Sequence, residues 1–202
     1  MKEKFINLLI STNQTQFPRE EYTKINIHLP IRGDAQKYII ELNSKIRKLT
    51  FSEIDFSPNS FQIPHLTLYM GYVSNENNFK NAMEKIMMLS NTIKPFHVSQ
   101  TIPYLKPKRN YVFVDTQQTE QIKELKQTIK DFIGEYMIPL EWDVVAEIPH
   151  ITVGYIKDSF EKVTSFLDDY PIGPSWEANA LEVSFCGLRG SCLGAIKTFE
   201  IK

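Results

Sequence analysis

The stretch Ile63-Pro64-His65-Leu66-Thr67-Leu68 recurs as Ile148-Pro149-His150-Ile151-Thr152-Val153. Four positions are identical and the other two exchange one apolar side chain for another, so the chain carries an internal duplication. Each copy opens a predicted strand that precedes a predicted helix. In a strand, side chains alternate between faces, so His65 and Thr67 project together while Leu66 and Leu68 point oppositely, into a helix-covered core. His150 and Thr152 stand in the same relation to Ile151 and Val153. The chain has four histidines, and two of them share this setting.

Outward from the first copy, Ile25, Ile27, Leu29 and Ile31 alternate with Asn26 and His28, a strand over 24–31 ended by Arg32-Gly33. A helix follows, with Asp34 as N-cap and Tyr38, Ile39, Leu42, Ile46 and Leu49 at helical spacing. The turn residues Ser57-Pro58-Asn59-Ser60 deliver the chain into a strand over 65–73. A second helix over 76–90 turns Phe79, Met83, Ile86 and Met87 inward as core, and strands over 96–105 and 111–115 flank the basic turn Lys106-Pro107-Lys108-Arg109-Asn110. Ile122, Leu125, Ile129, Phe132 and Ile133 mark a helix over 119–136, and a strand begins near His150. Asp158 with Glu161 reads as a capping box for a short helix to 168, and strands over 178–188 and 193–201 complete the chain. A strand-helix-strand-helix-strand order is thus followed by a similar series. Residues 1–22 carry a weak helical pattern and no motif, and are expected to be an appendage to one domain over 23–202.

With 42% hydrophobic and 23% charged residues in 202, the composition is that of an ordinary globular chain, which excludes disordered, collagen-like and coiled-coil classes. A net charge of -1 excludes a protein that holds long nucleic acid by counterion release alone, so any nucleic-acid ligand is short or gripped locally. Cys186 and Cys192 are too few for a disulfide framework or a thiolate zinc site and read as free thiols in a reducing compartment. No apolar run approaches the roughly 20 residues that span a bilayer, and no cleavable leader is apparent. The expectation is a soluble cytoplasmic protein without membrane contact.

An imidazole beside a hydroxyl, supplied twice, suits a tetrahedral anion. Four hydrogen-bonding groups converge on one phosphate, and one neutral histidine takes a proton while one protonated histidine gives one. A lone strand histidine is ordinarily a satisfied packing group; repetition with the same neighbours reverses that reading. His28 and His97 lack such a context and are read as ordinary.

On His65-Leu66-Thr67-Leu68 and His150-Ile151-Thr152-Val153, the chain resembles the two-histidine phosphoesterase superfamily over about residues 24–202. It looks most like the bacterial branch of 2'-5' RNA ligases and cyclic phosphodiesterases. The resemblance implies an α+β, bilobal, pseudo-twofold duplicated fold, with two mostly antiparallel sheets lining a central cleft and helices packed outside. It implies metal-independent, cofactor-free chemistry on 2',3'-cyclic phosphates or 2'-5' phosphodiesters in RNA, oligonucleotides or nucleotides. His65 and His150 would be the catalytic acid and base in either order, one activating water or a ribose hydroxyl and the other protonating the leaving oxygen. Thr67 and Thr152 would hold the phosphate. The implied partner is a nucleotide or short RNA, with no obligate protein partner and a monomeric chain.

Just after the motif, Tyr69 continues the His65–Thr67 face where the second copy has Gly154, so the cleft is expected to be lopsided, with Tyr69 lining the nucleoside side or filling the floor. Tyr155 matches a position where some relatives carry an aromatic or basic phosphate contact. Simple alternation turns it away from the cleft, and a bulge at Gly154 would restore it. In the basic turn, flanked by Tyr104 and Tyr111, Arg109 is the candidate phosphate contact because its planar fork suits that anion; the alternative is a solvated hairpin tip. Gly190-Ser191-Cys192-Leu193-Gly194 matches a nucleophile elbow superficially, but that motif needs a following helix and a later histidine, and the residues after Gly194 read as a strand without a histidine. There is no His-Glu-x-x-His, and the His-x-Thr units supply hydroxyls where a divalent ion wants carboxylates or more imidazoles. The rival from another class is a noncatalytic RNA- or nucleotide-binding module using the same cleft. Two intact proton-transfer groups argue against it, since binding alone does not require them.

Overall fold

The structure, a computed structural model, describes residues 23–140 and 148–202. The expected appendage, residues 1–22, lies outside the described residues. In chain order the elements are β1 (Thr23–Pro30), α1 (Gly33–Leu49), β2 (Gln62–Ile63), β3 (His65–Val73), α2 (Glu76–Ser90), β4 (Phe96–Val98), β5 (Gln100–Lys106) and β6 (Tyr111–Thr116). Then come α3 (Thr119–Ile133), β7 (Ile138–Pro139), β8 (His150–Tyr155), α4 (Phe160–Asp168), β9 (Trp176–Ala178), β10 (Ala180–Cys186) and β11 (Cys192–Glu200).

Among the described residues nine strands form one antiparallel sheet, ordered β2-β11-β10-β1-β3-β8-β6-β5, with β7 on β3. The two expected sheets are the halves of this path, and the strands bearing the repeated motif, β3 and β8, join them at the pair Leu66–Ile151. The fold is α+β. Ile39, Leu42 and Ile46 of α1, Ala82, Ile86 and Leu89 of α2, Ile122, Ile129 and Ile133 of α3, and Val163 and Leu167 of α4 share one apolar cluster with Ile25, Ile27, Leu66, Leu68, Ile151 and Val153. Alternation therefore puts the four helices of the described residues on one face of the sheet and leaves the face of His65, Thr67, His150 and Thr152 free of them.

Several local expectations change. The strands expected over 96–105 and 178–188 are each two, because the chain changes sheets at Ser99 and Asn179: β4 pairs with β9 in a separate two-stranded sheet, while β5 and β10 belong to the large one. Helix α1 begins one residue before Asp34, with Arg32 as an N-cap that makes no side-chain cap bond. Asp158 does not cap α4 either; Ser159, at φ 57°, holds that place, and the Asp158 carboxylate accepts from the hydroxyls of Thr50 and Ser159. Met87 and Phe132 are 46% and 39% exposed, since each stands one residue, about 100° of rotation, from the stripe residues Ile86 and Ile133. Among the described residues no helix is long and apolar enough to cross a membrane. Cys186 and Cys192 are buried thiols that face each other in register on β10 and β11 without forming a disulfide.

Candidate active site

The Ile-Pro-His sequence explains how each histidine is held. Proline keeps the preceding isoleucine extended and offers no N–H of its own. The isoleucine carbonyl is then met by the ring two residues later: His65 Nδ1 donates to Ile63 O at 2.9 Å, and His150 Nδ1 donates to Ile148 O at 3.1 Å. A carbonyl only accepts, so Nδ1 carries the hydrogen in both rings and Nε2 is the nitrogen left for chemistry.

The joint at Leu66–Ile151 places the two motifs about a local twofold axis. On each strand the histidine and the threonine flank that pair, His65 and Thr67 on either side of Leu66 and His150 and Thr152 on either side of Ile151, so alternation turns all four away from the core. Three residues after each histidine the sheet bulges. Leu68 is the extra residue between the pairs Thr67–His28 and Tyr69–Ile27, and Val153 is the extra residue between Thr152–Phe113 and Gly154–Val112. A bulge reverses the alternation beyond it. Tyr69 therefore does not continue the His65–Thr67 face; it turns into the apolar core and is 4% exposed. Its counterpart Gly154 faces Val112 and Ser52 on the same core side. Tyr155 is returned to the motif face, where its counterpart is Met70. The lopsidedness expected at Tyr69 and Gly154 thus appears one residue later.

The chemistry of the two halves diverges on this shared frame. Beside the second motif, the Phe113 ring centroid is 4.0 Å from that of His150, Tyr111 stacks on Phe113 at 5.3 Å, and Tyr155 meets Tyr111 edge-on at 4.9 Å. The Arg189 guanidinium lies 4.2 Å over the Tyr155 ring and donates through Nε to Glu53 Oε2 at 3.0 Å. Arg189 sits at φ 57°, a left-handed conformation uncommon for a non-glycine residue. The first half is polar where the second is aromatic: register makes Asn26 and His28 of β1 the counterparts of Tyr111 and Phe113. Met70, Leu140 and Cys186 form a small apolar cluster on its far side.

With this geometry in place, a family model for the 2'-5' RNA ligase superfamily matches residues 41–183. The chain belongs to the 2'-5' RNA ligase superfamily, among the two-histidine phosphoesterases. No curated protein matches it significantly by sequence. Its fold is similar to TT0787 of Thermus thermophilus (TM-score 0.63, 15% identity, covering 88% of this chain and 97% of that one). It is also similar to E. coli LigT complexed with 3'-AMP (0.57, 14%, 90% and 99%) and to Kluyveromyces marxianus Usb1 (0.50, 10%, 89% and 98%).

In this superfamily member, Arg109 lies on the exposed turn Pro107–Arg109 rather than in the motif face, and its charge is felt at Tyr111 together with that of Arg189. Lys106, just before that turn, is felt at His150. His28, read from sequence as ordinary, is fully buried with its ring centroid 5.2 Å from that of His65, and its Nε2 is 2.8 Å from Ser184 Oγ. The signal was its place, with Asn26, on the polar face of an apolar strand. Arg189 carried no sequence signal, because a turn between β10 and β11 brings it to Tyr155 from a distant part of the chain.

Burial lowers the pKa of all three imidazoles of this region. Burial drives His28 well below the ordinary value, with the neighbouring His65 adding to it. Burial also lowers His65, against the carbonyls of Ile63 and Gly190. For His150, burial first, then the charges of Lys126, Lys106 and His65, bring the pKa to about 4 against the opposing pull of the Ile148 carbonyl. An unfolded imidazole titrates near 6.5, so between about pH 4 and 6.5 the unfolded chain binds the extra proton and stability rises with pH. Acidification through that window should remove up to about 3 kcal/mol on account of His150, with His65 and His28 acting in the same direction. Thermal unfolding from pH 7 to 4 tests this: Tm falls on acidification and falls less in His150→Gln, whereas identical slopes would contradict the assignment.

Proposed function

We propose that the chain is a metal-independent phosphodiesterase that hydrolyses, or reversibly forms, 2',3'-cyclic phosphate or 2'-5' phosphodiester bonds in RNA, oligonucleotides or nucleotides. The observation that carries this reading is the antiparallel joint at Leu66–Ile151, which brings the two His-x-Thr strands side by side. A phosphodiester bound there accepts hydrogen bonds on its nonbridging oxygens from the Thr67 and Thr152 hydroxyls. One neutral histidine takes a proton through Nε2 from water as its oxygen attacks phosphorus. The other, protonated, gives a proton to the departing ribose oxygen, so a cyclic phosphate plus water becomes a phosphomonoester. The phosphate's negative charge raises the pKa of both imidazoles and so supplies the protonated partner.

The nucleoside then lies over Phe113, Tyr111 and Tyr155, where an aromatic wall with the Arg189 cation above it suits base stacking and a flanking phosphate. In the other half the counterpart of Tyr155 is Met70, which packs with Leu140 and Cys186. LigT, which shares the fold, holds 3'-AMP, a ribonucleoside phosphate of this kind. Among the described residues no three His, Cys, Asp or Glu side chains gather as a metal site.

The test is a panel of 2',3'-cyclic nucleotides, 2'-5' linked dinucleotides and 3'-5' linked controls, with products identified, in the presence and absence of EDTA. Turnover of a cyclic or 2'-5' substrate that survives EDTA is expected. Binding without turnover across the panel would make the chain a noncatalytic nucleotide-binding module. Activity lost in EDTA and restored by one divalent ion would overturn the metal-free mechanism.

A further inference from the structure

Strand β1 carries a polar face that this acid–base reading does not use. Asn26, set between Ile25 and Ile27, is fully buried. Its Nδ2 donates to Thr67 Oγ1 at 3.0 Å and lies 3.4 Å from His65 Nε2. An amide nitrogen carries two hydrogens, so one asparagine serves both members of the first motif at once. Its Oδ1 is buried without a hydrogen-bond partner among the described residues, an arrangement that packing alone does not favour. In the second half the same register position is held by Tyr111, and the His150 ring is held by its bond to Ile148 O.

We propose that Asn26 is the positioning residue of the first motif: it occupies an acceptor lone pair of Thr67, which leaves the threonine proton for a phosphate oxygen, and its second hydrogen meets the Nε2 lone pair of His65 in the free protein, a place the substrate takes over when it binds. The proposal rests on the reading of His65 and Thr67 as phosphate-handling residues. A hydroxyl has one hydrogen and two lone pairs, so a donor on the oxygen decides where the hydrogen goes. An N–H directed at Nε2 favours the neutral ring. Aspartate at this position would reverse both effects, because a carboxylate accepts: it would take the threonine proton and favour the imidazolium. The titratable groups on the surrounding elements are His28 on β1, His150 on β8, Glu182 on β10, paired with Arg32, Cys192 on β11, and Arg189 in the β10–β11 turn, held by Glu53.

The experiment uses the full chain with Asn26→Asp and Asn26→Ala, following the Hε1 resonances of His65 and His150 through a pH titration and, in parallel, turnover of a 2',3'-cyclic nucleotide. The His65 midpoint should rise by about one pH unit or more in Asn26→Asp and by less in Asn26→Ala, with His150 changing little. Turnover should fall about tenfold in Asn26→Ala when Thr67 is present, but less than about threefold in a Thr67→Ala background, because the two residues act through one another. Asn26→Ala carries the test by itself should the buried carboxylate prevent folding. An unmoved His65 midpoint, or the same fold-loss in both backgrounds, would overturn the proposal. Were His65→Ala and His150→Ala to turn over at the wild-type rate while the His65 midpoint still moved, the acid–base reading would fall and the tether would stand. An unmoved midpoint with both histidine variants inactive would separate the opposite way.

Discussion

His65→Ala and His150→Ala should each lower kcat/KM on a 2',3'-cyclic nucleotide by about 10²-fold or more, the range for losing a positioned general acid or base. The double variant should lose much less than the product of the two, because each histidine works only when the other is in place. Both rings present Nε2, since the Ile63 and Ile148 carbonyls take the Nδ1 hydrogen. Nothing else in either motif transfers a proton at neutral pH. Thr67→Ala and Thr152→Ala should slow turnover by weakening phosphate stabilisation while leaving the shape of the pH profile intact. Initial rates, with circular dichroism to establish that each variant is folded, decide the matter. Histidine variants that stay near the wild-type rate would remove the paired mechanism.

The second large effect lies under the site rather than in it. Leu66 and Ile151 are both fully buried and form the pair that joins the two halves of the sheet. Leu66→Ala or Ile151→Ala should destabilise the fold by about 2–5 kcal/mol, the usual range for truncating a large buried aliphatic side chain. Because this pair also sets the two His-x-Thr strands side by side, turnover should drop even at temperatures where urea titration shows the variant fully native. A comparably buried truncation far from the joint, Ile86→Ala in α2, should cost similar stability and leave the native-state rate unchanged. Equal rates for all three variants would show that the joint does not align the motifs.

The duplicated motif made the fold class and the strand placement of His65, Thr67, His150 and Thr152 legible, because Ile-Pro-His-x-Thr specifies a strand, a face and a carbonyl partner all at once. The two bulges were not legible. Strict alternation sent Tyr69 to the motif face and Tyr155 away from it, and one extra residue in each strand, Leu68 and Val153, reversed both placements. Alternation in β1 did expose Asn26 and His28 together, yet nothing local distinguishes a polar strand face open to solvent from one buried under Ser184 and His65. Arg189 was hidden for another reason: its contact with Tyr155 is fixed by the turn between β10 and β11 and by Glu53, a residue from a different part of the chain.

The central claim, that His65 and His150 exchange protons with one phosphate, is tested most directly by a pH–rate series on a 2',3'-cyclic nucleotide for wild type, His65→Ala and His150→Ala. Both imidazoles are lowered in the free protein, His150 to about 4. The wild-type kcat/KM profile should therefore be two-limbed with its maximum below about pH 6.5, its limbs belonging to the coupled pair. The kcat profile should lie at higher pH, because bound phosphate favours the imidazolium. Each variant should keep a single limb and a rate about 10²-fold or more below wild type. Two-limbed profiles at near wild-type rates in both variants would contradict the account.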